Sequence, residues 1–266
     1  MHIYNDNFEN YIFTDHFRSM DISPNQIITI HNQPSNVDFL SGCLILVDKP
    51  HGWTSFDVVN KIRHTLKNGL QIKKIKVGHA GTLDPMATGL LLICTGKLTK
   101  QIDTLLTDDK CYSGTLLLGA TTPTYDAESE ADIFYETEHI QPDMIHHAAK
   151  TFLGYQEQIP PIFSAIKIKG RPAYDLARKG KEVVMQPRPV TIHTFDILQI
   201  EEATVAFRVT CTKGTYIRSL AHDLGKKLSS GAHLTSLRRE GSGTFLVQDA
   251  LTVEQVCAYI HNVTNS

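Results

Sequence analysis

Residues 78–89 read Gly78-His79-Ala80-Gly81-Thr82-Leu83-Asp84-Pro85-Met86-Ala87-Thr88-Gly89. Three glycines in twelve positions allow positive φ or close backbone approach to a ligand. Pro85 disfavours the helical region for the residue before it, so Asp84 is expected in extended or turn geometry. A carboxylate on a rigid, glycine-flanked loop suits a nucleophile or a base. The plainer reading is a tight turn whose aspartate caps a backbone N–H. Residues further along the chain decide between the two.

The chain has 266 residues, 41% of them hydrophobic, enough for one large domain or two modest ones. The net charge of −2 decides nothing about a nucleic-acid partner, but its distribution is uneven. Residues 61–100 carry eight Lys and Arg against Asp84 alone, and residues 166–188 carry seven against Asp175 and Glu182. Residues 120–149 carry seven acids and neither Lys nor Arg. Two basic blocks can present a basic face to a polyanion even when the whole chain is near neutrality. The five cysteines are widely spaced, with no CxxC. They read as reduced cytosolic thiols rather than disulfides or zinc ligands. No apolar run reaches membrane-span length, and no signal peptide is legible, so a cytoplasmic protein is expected.

Residues 1–40 are polar and irregular and read as an N-terminal extension, partly ordered at best. Cys43–Asp48 patterns as a buried strand, and Lys49–Gly52 as a turn. Thr54 or Ser55 caps a helix to about Leu66, with Phe56, Val59, Ile62 and Leu66 on one face. Leu90–Cys94 and Tyr112–Gly119 are strand candidates, Leu98–Leu106 looks helical, and Thr121–Asp126 is a polar turn. A helix is expected near Pro142–Phe152, then an extended Gln158–Ala165, a basic turn, and a short helix over Ala173–Arg178. Strands follow over Val190–Ile200 and Thr204–Thr212, then an amphipathic helix over Gly214–Leu228. Leu234–Glu240 reads as a short basic segment, Gly243–Leu246 as a strand, and Thr252–His261 as a terminal helix. The mixture lacks a regular βαβ period, which favours α+β over a doubly wound sheet.

Three further stretches have residue types suited to chemistry or RNA. Lys110-Cys111-Tyr112 places a tyrosine where it could stack on a base or simply sit at a strand edge. Gln158 to Arg178 interleaves Lys167, Tyr174 and Arg178, a composition suited to phosphate and base contacts. Lys213-Gly214-Thr215-Tyr216-Ile217-Arg218 sits at a helix start, which favours anions, although Arg218 could instead pair with a buried carboxylate.

Together these stretches resemble the TruB-type tRNA pseudouridine synthases. The resemblance rests on Gly78–Gly89, Lys110–Tyr112, Gln158–Pro161 with Ser164–Lys167, Tyr174–Arg178, Lys213–Arg218 and Leu237–Arg239. Asp48–Pro50 and Thr54-Ser55 are similar to the family's opening, so the likeness covers about residues 41–250. It implies a pseudouridine synthase catalytic fold: a mixed, largely antiparallel central sheet flanked by helices and loops. It implies a catalytic domain over 41–250 with a thumb-like insertion around 158–188, a short C-terminal helix over 251–266, and no PUA-type C-terminal module.

The activity implied is isomerisation of uridine to pseudouridine at position 55 in the tRNA T-loop, without cofactor or metal. Asp84, Tyr112 and Arg218 match the family's catalytic residues. Asp84 is the nucleophile or base, acting on the uracil or on the sugar, Tyr112 stacks on the target base, and Arg218 ion-pairs with the aspartate. Tyr216 and Leu237 match positions that line the base pocket, and His79 matches a histidine set against the T-loop. Lys110, Lys167, Tyr174, Arg178 and Lys213 are expected on the RNA side. The partner implied is the T-arm of tRNA, bound by a monomer with no membrane and no obligate protein partner. A catalytically idle binding protein on this scaffold should have lost Asp84, Tyr112 or Arg218, and all three are present. An aspartate-based hydrolase would need a second acid or a metal cluster, and neither stands out.

Overall fold

The structure is a computed structural model, and it describes residues 22–168, 170–180 and 183–265. In chain order the first half contains β1 (Ile27–Ile28), β2 (Leu44–Lys49), α1 (Ser55–Gly69), β3 (Val77–Ala80), β4 (Thr88–Thr95), α2 (Ile102–Leu105) and β5 (Lys110–Leu118). Next come β6 (Ala120–Thr121), β7 (Ile133–Phe134), α3 (Pro142–Lys150), β8 (Gly154–Gln158), β9 (Lys167–Ile168), β10 (Arg171–Pro172) and α4 (Ala173–Arg178). The remainder is β11 (Arg188–Glu201), β12 (Thr204–Cys211), α5 (Ile217–Lys227), β13 (Ala232–Ser242), β14 (Phe245–Leu246), β15 (Leu251–Thr252) and α6 (Val253–Thr264). The fold is α+β, and the chain divides into two compact units, Met1–Thr107 with Gly241–Ser266, and Asp108–Glu240.

In the first unit, β4 pairs antiparallel with β2 on one side and β3 on the other, while β1 and β15 add to β2 in parallel. One face of this sheet packs Ile45, Val47, Leu91 and Ile93 against Val58, Val59, Ile62 and Leu66 of α1 and Val253, Val256, Tyr259 and Ile260 of α6. The other face packs Leu44, Leu46, Leu90, Leu92 and Cys94 against Ile27, Leu98, Leu105 and Phe245. Burial on both faces is why Leu44–Val47 and Leu90–Cys94 are continuous apolar runs instead of alternating ones. α1 starts at a capping box in which Thr54 accepts from the Asp57 N–H and Asp57 reaches back to the Thr54 N–H. Its buried stripe is Ser55, Val58, Val59, Ile62 and Leu66, while Phe56, expected on the apolar face, is 59% exposed. Residues 22–40, part of the stretch expected to be partly ordered at best, supply Ile22, Ile27, Ile28 and Phe39 to these cores. The Tyr259 hydroxyl donates to the Pro34 carbonyl at 2.7 Å.

The second unit holds the strand order β13-β5-β12-β11-β8. β5, β12, β11 and β8 run antiparallel, with Cys211 opposite Lys110 and Val209 opposite Tyr112. Val205, Phe207, Val209 and Cys211 are buried, and Phe195 meets Phe152 and Phe207 edge-to-face. α5 buries Ile217, Leu220, Ala221 and Leu224. A Cβ on Gly225 would lie 2.3 Å from the Ala232 nitrogen, so glycine is what lets α5 lie directly against the start of β13. β13 itself, read from sequence as a short basic segment, is an eleven-residue strand. Its polar side chains hid it: His233 and Arg239 are buried, Arg239 at 1% exposure.

Candidate active site

The Asp84 stretch is half strand and half turn. Val77–Ala80 forms β3, so His79 sits on a strand opposite Ile93, not in a loop. Gly81 has φ 90°, which turns the chain out of that strand, and Gly89 has φ 101° where β4 takes over. Asp84 lies between them, half-buried, with its carbonyl accepting from the Ala87 N–H at 3.1 Å. Its neighbours on both sides, Leu83 and Pro85, are fastened to the β2–α1 connection. The Ser55 hydroxyl accepts from the Leu83 N–H at 2.8 Å and donates to the Leu83 carbonyl at 3.1 Å. The Pro85 carbonyl accepts from the Gly52 N–H at 2.8 Å and from Lys49 Nζ at 3.4 Å. Lys49 is fully buried and also donates to the carbonyls of Pro50 and Trp53. An ammonium group among backbone carbonyls ties several segments to one point. Leu83, Met86 and Ala87 are buried beneath the turn. Asp84 is therefore a half-buried residue of a strapped turn whose backbone is held on either side of it. The sequence reading missed Lys49 and Ser55. The signal was an apolar strand ending in Lys and a cap position offering Thr-Ser, two hydroxyls where one suffices.

In the second unit the start of α5 is held as firmly. The side-chain amide of Gln158, at the end of β8, accepts from the Tyr216 N–H at 2.7 Å and donates to the Tyr216 carbonyl at 3.0 Å. The Ser219 hydroxyl donates to the Ile159 carbonyl at 2.8 Å. Arg218 is 6% exposed. Its Nη1 and Nη2 donate to the carbonyls of Thr124 and Phe163 at 3.0 Å each, and its Nε lies 3.4 Å from Asp126 Oδ2. Asp126 is fully buried, its Oδ1 accepting from the Thr124 hydroxyl and the Glu128 N–H. Asp126 was missed from sequence, where Thr121–Asp126 read as a polar turn. A buried guanidinium demands a buried carboxylate, and the acid-rich run before α3 was the place to look. The planar fork of Arg218 is thus oriented by three separate oxygens, which a lysine could not satisfy in the same way.

The remaining predicted residues fall into two groups. Tyr112 on β5 and Tyr216 at the cap of α5 are half-buried, and Leu237 on β13 is 8% exposed, all suited to lining a pocket. Lys167, Tyr174, Arg178 and Lys213 are exposed, and the Arg178 guanidinium lies 5.5 Å from the Tyr174 ring centre. Lys169, in the same basic block, lies outside the described residues. Lys110 does not fit the surface role expected of it. It is 5% exposed, its Nζ donates to the Asp108 carbonyl, and burial with the nearby Arg239 guanidinium pushes it down to about 8 despite Asp108. A cation placed there braces the start of β5, because a phosphate contact needs an accessible ammonium. Among the described residues, no group of three or more His, Cys, Asp and Glu is arranged to hold a metal ion. No described helix is long and apolar enough to cross a membrane.

Comparison with known proteins identifies the pattern. The family profile described as TruB family pseudouridylate synthase, N-terminal domain, matches residues 67–217. The profile of the tRNA pseudouridylate synthase B C-terminal domain matches residues 218–266. A protein named tRNA pseudouridine synthase B from Parabacteroides distasonis is 48% identical over 220 residues, covering 83% of this chain and 94% of its own length. One of the same name from Flavobacterium johnsoniae is 52% identical over 217 residues, covering 81% and 95%. Among solved structures, a chain of a Cbf5-Nop10-Gar1 complex superposes with TM-score 0.64 at 28% identity, over 91% of this chain. A chain of an H/ACA RNP bound to a substrate RNA containing 2'-deoxyuridine does so with TM-score 0.61 at 26% identity, again over 91%. This chain spans 65% and 64% of those two, less than two thirds of each.

Proposed function

The chain belongs to the TruB family of pseudouridylate synthases, and we propose that it isomerises a uridine of the tRNA T-loop, position 55, to pseudouridine. In that reaction the N1–C1' glycosidic bond breaks, the uracil turns, C5 bonds to C1', the C5 proton leaves to solvent, and N1 takes up a proton, so that product and substrate are isomers. The observation that carries the reading is the strapped turn: on either side of Asp84, Ser55 fixes the N–H and carbonyl of Leu83, and Gly52 and Lys49 fix the carbonyl of Pro85. A reacting carboxylate held to within a fraction of an ångström is what covalent or base catalysis requires. Asp84 acts as nucleophile or base, Tyr112 stacks on the uracil, and Tyr216 and Leu237 bound the base. Arg218 contributes a fixed positive charge that favours ionised carboxylate over acid.

The target base is stacked within the folded loop and must be extruded, at a cost of about a few kcal/mol that contacts with the displaced loop must offset. His79 and the exposed Lys167, Tyr174, Arg178 and Lys213 are the residues proposed for those contacts, with 158–188 closing on the T-arm. A monomer acting in the cytoplasm without a protein partner completes the proposal, in keeping with widely spaced, unpaired thiols.

The test is tritium release from a T-arm transcript labelled at C5 of its uridines, beside a transcript in which the target uridine is cytidine. Release from the first only is expected. Release from both, or from neither, overturns the assignment.

A further inference from the structure

α5 engages two consecutive residues of the 122–128 loop with two side chains one turn apart. Arg218 meets Asp126, and His222 meets Tyr125. The Tyr125 and His222 rings lie flat on each other, centroids 3.8 Å apart and planes 9° from parallel. Tyr125 adopts φ 63°, left-handed backbone that a bulky residue rarely takes unless its surroundings enforce it. The Tyr125 carbonyl accepts from the Leu234 N–H at 3.0 Å, and the Ala127 N–H donates to the Leu234 carbonyl at 2.9 Å, pinning the loop to β13. The Thr122 hydroxyl donates to the Asp126 carbonyl at 2.7 Å. His222 is 8% exposed, and its Nδ1 has no hydrogen-bond partner among the described residues. A structural histidine normally satisfies both ring nitrogens when buried, so this one is used as a flat surface. Burial and the nearby Lys226 pull its pKa down to about 4, which keeps the ring neutral and able to stack.

We propose that Tyr125 and His222 are positioning residues for Arg218: their stack holds the strained loop so that the Asp126 carboxylate and the Thr124 carbonyl orient the guanidinium. Neither ring touches the reacting atoms in this account. The strain at Tyr125 sets where Asp126 sits, and the ring of His222, one helical turn beyond Arg218, holds that strain against the same helix. The inference rests on the proposed reaction for its kinetic readout but not for its structural one.

The experiment measures three quantities on the full chain: single-turnover tritium release, Kd for a T-arm stem-loop, and hydrogen exchange of the Arg218 Nε–H by arginine-selective NMR without RNA. His222→Ala is expected to slow single turnover by roughly 30-fold, with Kd within about threefold and the Nε–H signal lost to exchange. His222→Phe, which keeps a ring and removes the orphan nitrogen, should stay within about threefold of the parent rate and keep the signal. In an Asp126→Asn background, His222→Ala should cost less than about twofold more, because both changes act through one contact. A merely structural role predicts independent, multiplicative losses. Tyr125→Gly is the second variant should His222→Ala not fold. Glycine accepts the positive φ without strain, and the same loss is expected because the ring is gone. A parental rate in both ring-deleted variants, multiplicative losses with Asp126→Asn, or an unchanged Nε–H signal overturns the proposal. An inactive parent chain overturns the assigned reaction, while the NMR comparison still judges the link between the stack and Arg218.

Discussion

Ser55→Ala removes one oxygen from the protein and isolates the strapped turn as a cause. Ser55 is 2% exposed and its hydroxyl serves both polar groups of Leu83, accepting at 2.8 Å and donating at 3.1 Å. Alanine keeps the helix start, since Thr54 and Asp57 make the cap. It leaves the Leu83 N–H and carbonyl buried beside Asp84 with no hydroxyl. An orphaned buried donor costs about 1–3 kcal/mol, so about 2 kcal/mol is expected for the pair. For a chain of this size that corresponds to a Tm lower by roughly 4–8 °C. The kinetic effect should be larger than that loss suggests. A shift of the Asp84 peptide by about 1 Å is worth on the order of a hundredfold in rate. Differential scanning calorimetry and single-turnover tritium release give the two numbers. Thr54→Ala is the control: it removes a solvent-side cap, costs about 1 kcal/mol, and should leave the rate within about threefold. The reasoning is refuted if Ser55→Ala is as stable and as fast as the parent, or if Thr54→Ala slows the chemistry as much.

Three other perturbations follow from the same contacts. Gln158→Ala removes the side-chain partner of the Tyr216 N–H and one of the partners of its carbonyl, and roughly a tenfold loss in single-turnover rate is expected, with Tm lowered by about 2–4 °C; an unchanged rate shows the clamp to be dispensable. For His222, the unfolded chain takes a proton below about pH 6.5, while the folded ring resists it down to about 4. Its contribution is therefore complete above pH 6.5 and is lost as pH falls towards 4, by at most about 3 kcal/mol. Urea titrations of the parent and His222→Phe between pH 7 and 4.5 should diverge, the parent losing more; parallel curves contradict the burial argument. Replacing exposed Lys167 and Arg171 together by alanine should weaken T-arm binding and reduce the slope of log K against log salt by roughly 1.5, whereas an unchanged slope puts the RNA elsewhere.

The sequence was most legible where one physical requirement acts alone. α4 occupies Ala173–Arg178 as expected, and α1 is capped by Thr54, one of the two hydroxyl residues offered at its start. Twice-buried strands such as Leu90–Cys94 announce themselves as apolar runs. Legibility failed where polar side chains are buried by partners distant in sequence. β13 looked like basic surface because nothing local tells that Arg239 and His233 are enclosed. Lys110 carried a surface role for the same reason. His79 fell on a strand because β3 is four residues long and borrows its pairing from β4. Phe56 was placed inward by its position in the repeat, yet it stands in solvent with the Arg63 guanidinium 5.7 Å from its ring centre. Residues 22–40 show no helical or strand period, and Ile22, Ile27, Ile28 and Phe39 among them are buried in the cores of the first unit while Ile30 and Leu40 stay exposed. For the site, the reactive letters Asp84, Tyr112 and Arg218 were readable, but their supports were not. Ser55, Lys49, Gln158 and Asp126 act on backbone groups or buried charge 28 to 92 positions away, and such pairings exist only once the chain is folded.

Asp84→Asn tests the central claim most directly. Asparagine keeps the size of the side chain and every backbone contact of the turn, and it removes only the negative charge and its nucleophilicity. Single-turnover conversion of the T-arm uridine to pseudouridine should vanish, while Kd for the same RNA stays within about threefold of the parent. Conversion at the parent rate by Asp84→Asn would contradict the account.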